Sequence, residues 1–155
     1  MKLLDTPSWR DNIRVAGLNG LAALGDQRSL DGTLRFSASG NPAQVRAAAI
    51  TVLGVGKNDP RVFPLISEEL LKSVLPFNAT LFGASGRALV ELGDPRGVDV
   101  LEQAAKNLTS QRALPLLQQL VQQLKQKGQT DAIKLPLTDS SGRSVYKKDP
   151  RVAMR

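Results

Sequence analysis

Apolar and small residues recur along most of this chain at the spacing of one helix face. Ile13, Ala16, Gly17, Gly20 and Leu21 fall at i, i+3, i+4, i+7 and i+8. The same order returns at Val45, Ala48, Ala49, Val52 and Leu53, and again at Leu81, Ala84, Ser85, Ala88 and Leu89. That spacing is the buried stripe of an amphipathic helix. Several of its positions are Gly, Ala or Ser, and small side chains let a neighbouring helix come close. The pattern therefore predicts helices that stand side by side.

A second phrase punctuates the first. Asp26-Gln27-Arg28, Asp59-Pro60-Arg61 and Asp94-Pro95-Arg96 follow the three stripes, with 33 residues from Asp26 to Asp59 and 35 from Asp59 to Asp94. Self-similarity at such a period is the mark of a repeat architecture. Each Asp is expected to cap a second helix, its carboxylate accepting free backbone N–H groups at the positive end of the dipole. Ser8, Asn41 and Asn78 are expected to cap the first helices. The pairs are predicted over about 8–24 with 27–38, 42–56 with 60–74, and 78–92 with 95–107. A last helix over about 111–127 carries Ala113, Leu114, Leu117, Leu120, Val121 and Leu124 on one side and Gln118, Gln119, Gln122, Gln123, Lys125 and Gln126 mostly away from it. A polar outer side suits a terminal capping helix. One helical domain is thus expected over 1–127. Residues 128–155 change character, with Gly128, Pro136, Ser140-Ser141-Gly142 and Pro150 and six Lys/Arg against three Asp. They are expected to form a basic flexible tail. A short hairpin joining Ile133-Lys134-Leu135 to Ser144-Val145-Tyr146 is the alternative.

Composition narrows the chemistry. The chain has no cysteine and no histidine, so it holds no Ser-His-Asp triad and no thiolate or imidazole metal site of its own. Ser8, Ser85 and Ser110 have no histidine base. No EF-hand spacing occurs. No catalytic residue, metal ligand or cofactor site is expected. The charge is +7, which favours phosphate backbones in general. Its Lys and Arg form no run interleaved with aromatics, so a nucleic-acid role is the weaker reading. No apolar run approaches the roughly 20 residues of a membrane span.

The phrases Val45-Arg46-Ala47-Ala48-Ala49, Leu24-Gly25-Asp26 and Leu92-Gly93-Asp94-Pro95-Arg96 resemble HEAT repeats, in the short subtype also found in phycocyanobilin lyase-like proteins. The resemblance covers about residues 8–127. It implies an all-α fold, a right-handed α-α superhelix of about three helical hairpins plus a capping helix. Ser8-Trp9-Arg10-Asp11-Asn12-Ile13-Arg14, Leu18 through Asp26, and Gly40-Asn41-Pro42 with Val45-Arg46 also resemble the non-catalytic carboxy-terminal helical region of bacterial aminopeptidase N-like zinc peptidases. That family's His-Glu-x-x-His and Gly-x-Met-Glu-Asn motifs are absent here, so none of its catalytic residues carries over.

Asp26, Asp59 and Asp94 are accordingly read as structural caps, and Arg28, Arg61 and Arg96 as an inter-repeat polar ladder. A phosphate-binding stripe is the alternative for the arginines. Arg14 and Arg46 occupy equivalent positions, but the third equivalent is Phe82, which interrupts any anion-binding row. Trp9 either seals the amino-terminal end of the core or, with Leu3 and Leu4, meets a preceding domain. Phe77 and Phe82 are expected in the core. The expected partner is a protein or peptide. The aminopeptidase resemblance implies the catalytic domain of the same parent chain. A free-standing scaffold would instead use a surface made by the second helix of each pair.

Overall fold

The computed structural model describes residues 2–6, 8–108 and 110–133, the side chains of residues 2, 3, 27 and 129–133 apart. All regular structure among these residues is helical. The α-helices are α1 (Asn12–Leu24), α2 (Leu30–Ser37), α3 (Ala43–Leu53), α4 (Val62–Lys72), α5 (Ala79–Leu92), α6 (Gly97–Asn107) and α7 (Leu114–Ile133). Short 3₁₀ turns cover Lys2–Asp5, Trp9–Asp11, Gln27–Ser29 and Gln111–Ala113. Pro115 sits in the first turn of α7, where its missing N–H has no intrahelical partner to lose. That helix runs past the expected end at Lys127, through Ile133, so Ile133 begins no strand. The rest of the expected tail and its hairpin lie outside the described residues.

The helices form a row and a flank. In the row, α1 packs on α3, α3 on α5, and α5 on α7. On the flank, α2 packs on α3, α4 on α5, and α6 on α7. Each Asp-x-Arg helix therefore leans mainly on the helix that follows it. The hairpins expected from sequence, α3 with α4 and α5 with α6, share much narrower contacts. The packing unit is displaced by one helix from the sequence pairing.

The repeated stripes explain the row. Val45, Ala48, Ala49 and Val52 of α3 are buried with Leu4, Leu18 and Phe36. Leu81, Ala84, Ala88 and Leu89 of α5 join a larger core with Ile50, Leu53, Ile66, Leu70, Leu101, Leu120 and Leu124. Glycines sit at two of these contacts, α3 on α5 and α5 on α7. A Cβ on Gly54 would lie 3.0 Å from the Cα of Ala88, and one on Gly86 would lie 2.5 Å from Leu120 Cδ1. Phe82 is fully buried, its ring centroid 5.6 Å from that of the half-buried Phe77. Trp9, by contrast, is 73 % exposed with the Arg10 guanidinium over its ring, so it does not seal the core.

The ends of α1 and α5 are closed by Gly25 (φ 63°) and Gly93 (φ 71°), left-handed caps whose N–H groups donate to the carbonyls of Leu21 and Leu89. A Cβ is disfavoured there, so Gly93→Ala is expected to cost about 1 kcal/mol. Gly20 is an ordinary helical residue with nothing within 4 Å of a Cβ. Gly20→Ala is expected to stabilise by about 0.5–1 kcal/mol. Urea denaturation of the two variants should move in opposite directions.

At the helix starts, Asn78 behaves as expected, its side-chain oxygen accepting from Leu81 N–H at 3.2 Å. Asn41 does not cap α3. Its amide donates instead to the carbonyls of Arg35 at 3.0 Å and Ala38 at 3.3 Å, tying the loop to the end of α2. Ser8 Oγ accepts from Ile13 N–H at 3.1 Å, across a turn in which Arg10 and Asp11 take positive φ.

Candidate interaction surfaces

The three Asp-x-Arg turns have one geometry. The carboxylate oxygens of Asp26, Asp59 and Asp94 each accept the backbone N–H two residues on, at 2.9 Å in every case. Backbone carbonyls of the same aspartates accept from Ser29, Val62 and Gly97. Each carboxylate thus heads a turn leading into α2, α4 or α6, and those helices begin three or four residues later. The guanidinium of the following arginine then folds back to donate to both carboxylate oxygens.

Those bonds set the electrostatics. Arg28 and Arg96, through side-chain hydrogen bonds first, hold Asp26 and Asp94 below the usual carboxylate range. Arg61 draws Asp59 down to about 2 in the same way. Because the folded-state pKa is lowered, folding is favoured where the carboxylate is ionised. The contribution is complete above the unfolded aspartate value of about 3.9 and is lost as pH falls through the folded value. Urea midpoints should therefore drop between about pH 4 and about pH 2, and Asp59→Asn should flatten that drop.

The expected polar ladder is corrected in its chemistry. Arg61 reaches back to Asp31 Oδ1 at 2.6 Å, an ionic rung to the second residue of α2. Arg96 makes no such ion pair. Its guanidinium lies 4.3 Å from the ring of Phe63, the second residue of α4. Arg28 pairs with Asp26 in its own turn, and its side chain is 92 % exposed. The two rungs differ because Arg61 meets an acid and Arg96 an aromatic ring. The arginines are paired or stacked, and the three aspartates stand on separate turns. No cluster of three or more carboxylates capable of holding a metal occurs among the described residues.

Two further arginines are tied inward. Arg14 donates to the Leu4 carbonyl at 2.8 Å and to Asp11 at 2.6 Å. Arg46, on α3, pairs with Glu69 on α4, with only 16 % and 10 % of their side chains exposed. Sequence reasoning did not foresee Glu69 as a buried partner, since its position is signalled by nothing local.

Two adjoining recesses open on the row. One recess of about 460 Å³ is lined by Ala22, Ala23, Thr51, Val55, Ala88 and Glu91. A second of about 530 Å³ is lined by Val15, Asn19, Gln44, Thr80, Gly83 and Leu116. Thr51, Ala84 and Arg87 belong to both, so the recesses adjoin across α1, α3 and α5. Most lining side chains are small. Arg87 stands exposed at the junction. The sequence expectation placed such a surface on the second helix of each pair. These two recesses lie instead on α1, α3 and α5, the first helix of each sequence pair. A smaller recess of about 150 Å³ lies among the turns, between Asp59, Phe63, Asp94 and Arg96.

No helix among the described residues is long and apolar enough to cross a membrane. Comparison with protein-family models, with curated proteins and with solved structures finds no match to this chain.

Proposed function

We propose that this chain is a non-catalytic helical-repeat scaffold, a right-handed superhelix of HEAT-like units that holds a polypeptide along α1, α3 and α5. The observation that carries the reading is the pair of adjoining recesses crossing three successive row helices around Arg87. Small side chains on their floor leave room for a backbone or a helix, and Thr51, Thr80, Asn19 and Gln44 offer hydrogen bonds along it. The unequal packing of row and flank supports a superhelix. Successive row helices pack extensively, whereas on the flank α4 and α6 touch more narrowly and α2 and α4 less still. A stack that is tighter on one side curves toward that side, which makes the row its inner surface.

A second reading is favoured by the phrases around Ser8–Arg14 and Leu18–Asp26. In it the chain is the accessory helical region of an aminopeptidase N-like zinc peptidase, and the polypeptide it holds is the peptidase domain. A His-Glu-x-x-His encoded upstream in the same reading frame would support that assignment.

The scaffold reading is tested by selecting binders from a displayed library of random peptides and mapping them by amide chemical shifts. Shifts centred on Asn19, Thr51, Thr80 and Arg87, abolished by Thr51→Trp, are expected. Peptides that perturb only α2, α4 and α6, or a library that yields no binder, would count against it.

A further inference from the structure

The stripe that is buried in α3 and α5 is open in α1. Val45, Ala48, Ala49 and Val52 are at most 5 % exposed, and Leu81, Ala84, Ser85 and Ala88 likewise. Their equivalents Ile13, Ala16 and Gly20 are exposed, and Gly17 is half-buried. Leu24 extends the same face by one turn, and Trp9 stands just before α1, beyond the kink at Arg10 and Asp11; both are more than 70 % exposed. Gly20 has nothing within 4 Å of a Cβ, whereas Gly54, Gly86 and Gly97 each meet a neighbour's side chain within 3.0 Å. This face is distinct from the groove, which uses Val15, Asn19, Ala22 and Ala23 on another side of α1.

A second observation points the same way. Arg61 and Arg96 each contact the second residue of the flanking helix one repeat earlier, Asp31 or Phe63. Arg28 holds the equivalent position, bonded to Asp26 of its own turn, and among the described residues it makes no such contact, its side chain being 92 % exposed. An apolar face and an unfilled rung therefore coincide at one end of the row.

We propose that the α1 end seats a further helical repeat unit of a neighbouring domain. Its row helix lies along Trp9, Ile13, Ala16, Gly20 and Leu24, and its flanking helix offers an acidic or aromatic side chain to Arg28. The seat continues the established series of row contacts, from α7 on α5 to α3 on α1. A second copy of this chain fits less well. Its α7 presents the exposed Gln118, Gln119, Gln122 and Gln123, whose amides an apolar seat would take out of water. Its α1, about 20 Å long, is too short for two such faces alone to reach the roughly 1,200 Å² of a stable interface.

Two extended chains test this. One carries a duplicate of residues 9–40, with the duplicate's tryptophan changed to phenylalanine, inserted between Ser8 and Trp9. The other carries a duplicate of residues 41–76 at the same place. The first offers Asp31 to Arg28, the second Phe63. In both, emission of the native Trp9 should shift to shorter wavelength, acrylamide quenching should fall several-fold, and the melting temperature should rise above that of the 155-residue chain. Two extended chains that leave Trp9 as quenchable as before, or that both fail to fold, would overturn the proposal. Sedimentation of the 155-residue chain should show a monomer. A dimer that Leu24→Glu dissociates would name a second copy as the occupant and overturn it too.

Discussion

Glu69→Ala is expected to lower the free energy of unfolding by about 3 kcal/mol. Glu69 and Arg46 face each other between α3 and α4, with most of both side chains out of water. Removing the carboxylate strands the guanidinium, whose Nε already has no hydrogen-bond partner. Losing one partner of a buried pair costs roughly 3–5 kcal/mol, and the residual exposure here places the cost at the low end. That is a large share of a total of about 5–15 kcal/mol. The combined change Arg46→Met with Glu69→Leu should recover most of the loss, because apolar pairs of similar volume replace such ions at little cost. Glu68→Ala, which breaks the exposed pair with Lys72, should cost less than about 0.5 kcal/mol. Urea titrations of the three variants give the comparison directly. Equal losses for Glu69→Ala and the double variant would show that the pair, rather than the stranded charge, carries the energy.

Phe82→Ala is expected to cost about 3–5 kcal/mol, the range for deleting a buried aromatic ring from a close-packed core. Phe82 is 1 % exposed and belongs to the larger of the two apolar clusters. Its loss also leaves Phe77 without the ring it packs against. Trp9→Ala removes a larger side chain yet should fall within about 0.5 kcal/mol of zero, since Trp9 is 73 % exposed. Thermal melts of both proteins check the ordering, and a reversed ordering would move the core to the amino-terminal end.

Two kinds of signal decided how much the sequence could disclose. Local ones were readable. The i, i+3, i+4, i+7 stripe located α1, α3 and α5, and the Asp-x-Arg phrase located the turns before α2, α4 and α6. The carboxylate-to-N–H bonds span two residues, so residue type and spacing were enough to suggest them. Signals that depend on a neighbour were not readable. Ile13 and Val45 look alike in sequence, yet one is exposed and the other buried, because α3 has α1 against it and, among the described residues, no α-helix covers that face of α1. The same dependence hid the pairing of α2 with α3, which share no motif beyond their order. It also hid the partners of Arg61 and Arg96, which lie a full repeat away. Glu69 carries no local mark at all, and its burial follows from Arg46 on another helix.

The central claim is that α1, α3 and α5 form an open row rather than a closed bundle, and spin labels can decide it. The chain has no native cysteine, and Asn19, Thr51 and Arg87 are equivalent, exposed positions on those helices. Cysteines are introduced there in pairs, and the distances are read by electron paramagnetic resonance. With neighbouring axes about 8–10 Å apart, the 19–51 and 51–87 separations should be similar and the 19–87 separation about twice as long. Three equal separations would describe a closed triangle of helices and contradict the account.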